Sequence, residues 1–211
     1  MALALSPKAR WVFIGDSITD CGRRSCPESM GSGYVRLVRD YLLARDPVAA
    51  PVVVNAGISG NKITDLQGRW DNDVLAHTPD LVSVKIGIND VWHGIPDRSK
   101  GIGVDDFRAG YVDVLERLRA ACPKAVLVLC EPSVIWPPAP EEGNALLQPY
   151  LAVVRELAQQ FHATALVPLH GVFESAKSTR PDVIWAPDGV HPSSAGHMLI
   201  ARTWLAALGL L

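Results

Sequence analysis

Short apolar runs punctuate the chain, and longer stretches of helical periodicity fill the spaces between them. Five runs read as strands: residues 11–14, 52–54, 81–86, 125–129 and 165–167. They are rich in β-branched side chains and apolar at successive rather than alternate positions. That continuity marks strands covered on both faces, as in a parallel sheet. Residues 34–44 place Val35, Val38 and Leu42 on one side of a helix. Residues 105–121 align Phe107, Tyr111, Val114, Leu115 and Leu118 in one stripe, with Asp105 or Asp106 as the predicted N-cap. Residues 144–161 and 193–207 read as two further helices, and a shorter one covers 65–75. The alternation of strand and helix predicts a three-layer α/β/α sandwich with right-handed crossovers. No repeat or linker divides residues 1–211, which read as one domain, and Pro137-Pro138-Ala139-Pro140 reads as a surface loop.

A length of 211 residues suffices for a substantial core. The formal charge of −2 supplies no basic surface for nucleic acid, so none is expected as a partner. No apolar run approaches the roughly 20 residues of a membrane span. Pro7, Lys8 and Arg10 break the apolar start, so the expected form is a mature, cytoplasmic chain. None of the four cysteines lies in a C-x-x-C pair, and reduced thiols are expected. Cys122 and Cys130 read as core thiols, while Cys21 and Cys26 could meet across a short loop. Gly101 and Gly103 lack the spacing and the strand–turn–helix setting of a dinucleotide loop.

In a parallel α/β sheet, ligands bind outside the carboxyl ends of the strands, so the residues there carry the candidate chemistry. Ser17 follows the first strand in Gly15-Asp16-Ser17, where it is either a turn or capping serine or a nucleophile with free amides nearby. Asp188 and His191, three residues apart before the last helix, can aim at one point. His191 could then take a proton from Ser17 while Asp188 fixes its tautomer. Gly57, after the second strand, could bring an N–H close to a developing oxyanion. Asn89, after the third, could donate another hydrogen bond, and the Ser17 N–H a third. Each residue alone fits an ordinary turn as well. Together, at strand ends and before the last helix, they have the composition of an acyl-transfer site.

The blocks Gly15-Asp16-Ser17, Gly57, Gly87-Ile88-Asn89-Asp90 and Asp188-x-x-His191, in that order, resemble those of the SGNH hydrolases, also called the GDSL esterase/lipase family. Its four name-giving residues map to Ser17, Gly57, Asn89 and His191. The stretches 13–22, 57–61, 87–92 and 190–198 look like those of the intracellular bacterial acetylxylan esterases of this family. The resemblance implies a flavodoxin-like five-stranded sheet of order 2-1-3-4-5, with neither cofactor nor metal. It implies removal of acetyl groups from xylo-oligosaccharides or similar sugars, and assembly as a homo-oligomer. Two departures lie at the pocket rim: Trp92-His93 stands where Trp-Arg is frequent, and Trp185-Ala186-Pro187 precedes Asp188.

Asp16, Asn61, Asp90, Trp92 and Trp185 are candidates to shape the pocket or touch the sugar. His197, on a different helical azimuth from His191, reads as a packing or capping residue. Three rival readings stand beside the deacetylase. One is a short-chain lipase, thioesterase or lysophospholipase of the same family. Another is a metal-dependent phosphoesterase with Asp16, Asn89, Asp188 and His191 as ligands, and the third is a carbohydrate-binding protein without catalysis. A membrane partner is not expected, since no lid or amphipathic membrane-facing helix is evident.

Overall fold

The computed structural model describes residues 3–211. Five strands form one parallel sheet of order β2-β1-β3-β4-β5: β1 (Arg10–Gly15), β2 (Val52–Gly57), β3 (Leu81–Lys85), β4 (Val126–Cys130) and β5 (Ala165–Val167). The doubly covered strands expected from the apolar runs are present. Trp11, Phe13, Leu81 and Val128 face one side, while Val12, Ile14, Val82, Val84, Leu127 and Leu129 face the other.

Helices α2 (Tyr34–Arg45) and α8 (Ser194–Ala207) cover the first face with Tyr34, Val35, Val38, Ile200, Ala201 and Trp204. Helices α3 (Ile63–Asp73), α5 (Val104–Ala121) and α6 (Gly143–Gln160) cover the second with Leu66, Trp70, Phe107, Val114, Leu118 and Leu157. Two short helices, α1 (Ser17–Asp20) and α4 (Ile88–Trp92), follow β1 and β3 directly. Helix α7 (Leu169–Thr179) completes the set.

Three local expectations need correction. Strand β2 runs three residues beyond Val54, to Gly57, because Asn55 and Gly57 continue the ladder opposite Phe13 and Gly15. Helix α5 starts at Val104 with Gly103 at its N-cap, so Asp105 and Asp106 sit inside the first turn, where their charge meets the positive end of the helix dipole. Helix α7 was not expected; its buried stripe is only Leu169, His170 and Phe173, among the poor helix formers Gly171, Ser175, Ser178 and Thr179. Pro137 and Pro138 lie at the surface as expected, but Val134, Ile135 and Trp136 just before them are buried.

The four cysteines are free thiols. Cys130 is buried, whereas Cys122, expected in the core, is only partly so. Among the described residues, no helix is long and apolar enough to cross a membrane.

Candidate active site

The parallel sheet brings the ends of β1, β2 and β3 to one edge, and the loop before α8 closes over it. Asp16 starts this arrangement. It is 1% exposed and caps α1, its Oδ1 accepting from the Ile18 N–H at 2.9 Å. The capped turn presents Ser17, whose hydroxyl donates to His191 Nε2 at 2.8 Å across 174 residues of chain. A carboxylate can only accept, so His191 carries its proton on Nδ1, which donates to Asp188 Oδ2 at 2.6 Å. Asp188 Oδ1 takes the amides of Val190 (3.0 Å) and His191 (2.7 Å). Partial burial pushes the Asp188 carboxyl up, but the His191 ring and these two amides outweigh it and hold the group below the usual carboxylate range. An ionised Asp188 orients the imidazole and balances an imidazolium; a serine so placed can lose its proton to Nε2 as it attacks an acyl carbon.

Three N–H groups after β1, β2 and β3 are free to donate. The Ser17 N–H finds no acceptor among the described residues. Asn89, 2% exposed, gives one of its two side-chain N–H bonds to the Asn61 carbonyl at 3.0 Å, which leaves the other free.

Gly57 does not fit the expected donor role. Its buried amide donates to Asn55 Oδ1 at 2.9 Å, and a Cβ there would lie 2.2 Å from the Asp20 nitrogen. Gly57 is a strand glycine that lets β2 approach α1. The exposed amide of this loop belongs to Gly60, at the third position of the turn closed by Asn61 N–H to Ile58 O (3.3 Å). Its φ of +82° suits glycine, and its N–H has no acceptor among the described residues.

Other expected contacts divide. Asp90 is 1% exposed; its Oδ1 accepts the Ile63 N–H at 3.0 Å, holding the start of α3. Burial pushes its carboxyl up to about 7, partly opposed by that amide. Asp16 and Asp90 are therefore helix-holding groups rather than substrate contacts. Asn61 is a hub whose carbonyl receives Asn89 and whose Oδ1 receives Arg69 Nε at 2.7 Å. Trp92 stays at the site, its ring edge-on to His191 with centroids 5.8 Å apart. Trp185 does not join the cluster. Its indole N–H donates to Arg180 O at 3.2 Å, and it lines a groove between α7 and α8 with Val172 and Leu199.

Two further residues tie the site together. Asn55 donates to Thr19 O (2.8 Å) and Met30 O (2.9 Å), clamping the loop after α1 to β2. Arg69, from α3, donates to Ala56 O (2.7 Å), Gly15 O (3.0 Å) and Asp73 (2.7 Å) as well as to Asn61. A polar residue late in a strand and an arginine amid helix polar positions gave no sign of these roles.

His197 lies behind the site. Its Nδ1 accepts the Tyr34 N–H at 3.2 Å, so this side chain of α8 caps α2. Burial, with the charges of Lys85 and His191, pulls it down to about 4. Among the described residues no three of His, Cys, Asp and Glu gather as a set of metal ligands.

Comparison with known proteins gives the chain a family and a fold. The profile of the GDSL-like lipase/acylhydrolase family matches residues 13–199. An acetylxylan esterase of Geobacillus stearothermophilus is 36% identical over 207 residues, 94% of this chain and 93% of its own. Its crystal structure superposes with a TM-score of 0.87 at 34% identity, covering 98% of this chain and 97% of that one. A structure from Parabacteroides merdae, described as that of a GDSL-like lipase, gives 0.91 at 34% identity over the whole of both chains.

Proposed function

The chain belongs to the GDSL-like lipase/acylhydrolase family and is a carboxylic ester hydrolase, and from that premise we propose that it removes acetyl groups from xylo-oligosaccharides through an acyl-enzyme on Ser17. The observation that carries the mechanism is the unbroken relay from Asp188 through His191 to the Ser17 hydroxyl. Ser17 Oγ attacks the acetyl carbonyl carbon as its proton passes to His191 Nε2. The oxyanion forms against the Ser17 N–H, the Gly60 N–H and the free Asn89 amide hydrogen. His191 returns the proton to the departing sugar oxygen as the C–O bond breaks, which leaves acetyl-Ser17. Water then attacks, gives its proton to His191, and acetate leaves as Ser17 recovers that proton. The acetyl and sugar assignment is supported by the acetylxylan esterase relative, matched over nearly its whole length.

The test compares kcat/KM on acetylated xylo-oligosaccharides, other acetylated sugars and 4-nitrophenyl esters of increasing acyl length. The proposal expects acetyl esters to lead and acetylated xylo-oligosaccharides to lead among sugars. A preference for long acyl chains would overturn the substrate assignment and point to a lipase or lysophospholipase.

A further inference from the structure

Strand β3 carries a residue that its surroundings do not accommodate as neutral filler. Lys85 is 0% exposed, and its Nζ finds no hydrogen-bond partner among the described residues. Like Leu81 and Ser83, it points to the face covered by α2 and α8; Ser83 there accepts the Trp204 indole N–H at 3.0 Å. Lys85 is in register with Gly15 on one side and Cys130 on the other, so its backbone adjoins the residue before Asp16-Ser17.

A buried ammonium without a counter-charge is strongly unfavourable. The charges that act on Lys85 come from Asp16, beyond β1, and Cys130 of β4, and Lys85 in turn acts on His197 of α8. Burial pulls the Lys85 ammonium down, and Asp16 and Cys130 oppose that pull. Burial pushes the Cys130 thiol up to about 12, so it stays neutral. Glu131 is engaged by Arg155 Nε (2.6 Å) and the His170 amide (3.2 Å). Asp90 is held at the start of α3 with its carboxyl pushed up. Asp16 is the carboxylate that acts on Lys85: its Oδ1 caps α1, and its Oδ2, like that of Asp90, is buried without a partner.

We propose that Lys85 is a positioning residue, the buried cation whose charge balances Asp16 and so holds the capped turn that presents Ser17. The two groups are not in direct ion-pair contact, and the coupling acts through space in a poorly screened interior. Without Lys85, the buried Asp16 carboxylate has no opposing charge, the cap on the Ile18 N–H weakens, and Ser17 loses its fixed position. This inference rests on the reading of Ser17 as nucleophile.

The experiment is a double-mutant cycle on the full chain with 4-nitrophenyl acetate, using the parent, Lys85→Met, Asp16→Asn and the double variant. Each single change leaves one buried charge alone and is expected to lower kcat about tenfold or more, with KM little changed. The double variant is expected above either single. Effects of the two changes that simply multiply would overturn the proposal. Ser17→Ala separates the two readings: full activity there rejects the nucleophile, whereas an inactive Ser17→Ala beside an uncoupled cycle rejects only Lys85. If Lys85→Met does not fold, Asp16→Asn carries the test. Its unpaired Lys85 holds fewer protons folded than unfolded, so its stability should climb relative to the parent as pH rises toward the ordinary lysine range. Parallel curves would overturn the proposal.

Discussion

Replacing Arg69 by Met tests how the site is held together. The guanidinium, with a side chain 14% exposed, binds Gly15 O, Ala56 O, Asn61 Oδ1 and Asp73. Methionine keeps most of the apolar stem and removes every donor. The Asp73 bond, one turn along the helix, is worth about 0.3–0.5 kcal/mol. The other three acceptors lose a charged donor in a half-buried setting, at about 1 kcal/mol each, the low end of the range because water reaches part of the site. The sum is about 3 kcal/mol, a large share of the roughly 5–15 kcal/mol that holds a domain folded. Activity should fall separately. Asn61, once released, no longer anchors the Asn89 amide through its carbonyl. Deleting such a donor outright costs about 10²–10³ in turnover, so a displaced one should cost about tenfold in kcat with KM unchanged. Arg69→Lys, a single point donor, should recover less than half of the stability. Urea unfolding and steady-state kinetics on 4-nitrophenyl acetate measure both quantities. A stability loss under about 0.5 kcal/mol, or full kcat in a destabilised Arg69→Met, would refute the reasoning.

Other perturbations have signs set by the geometry. Asn89→Ala should lower kcat by about 10²–10³ while KM changes little, and unchanged kcat would remove Asn89 from the oxyanion site. Gly57→Ala should prevent folding or displace α1, because its Cβ meets Asp20 and Thr19 backbone, whereas Gly60→Ala meets nothing and should cost only about 1 kcal/mol through its positive φ. Equal unfolding midpoints for the two would contradict this. His197, held at about 4 when folded, binds fewer protons there than in the unfolded chain. Its contribution is therefore present above about pH 6.5 and lost as pH falls toward 4. The stability of the parent relative to His197→Gln should rise over that window, and a flat difference would count against it. Asp90 has the opposite sign: folded it titrates near 7, so the parent should lose stability relative to Asp90→Asn as pH rises from about 4 to 7.

Much of this arrangement is legible in the residues. The strands show as uninterrupted apolar runs because both faces are covered, and Ser17, Asp188 and His191 stand out because their types fit one reaction and fall at one sheet edge. Gly57 was misjudged because polar Asn55 and small Ala56 hide the last ladder positions of β2, which turns a presumed loop glycine into a strand glycine and moves the exposed amide to Gly60. Asp16 and Asp90 resemble sugar contacts in sequence, since an acid at a strand end looks solvent-facing; both are buried and hold helix starts. Arg69 and Lys85 were not legible at all. An arginine among helix polar positions reads as solvated, and a lysine in a strand reads as an edge residue, until the neighbours that bury them are known.

The central claim is that Ser17 forms the acyl-enzyme. Treating the protein with a serine-directed phosphonate and mapping the adduct by peptide mass spectrometry tests it most directly. The account predicts one adduct per chain, on Ser17, with activity lost in proportion and no labelling of Ser17→Ala. Labelling elsewhere, or a Ser17→Ala variant that hydrolyses acetyl esters at the parent rate, would contradict it.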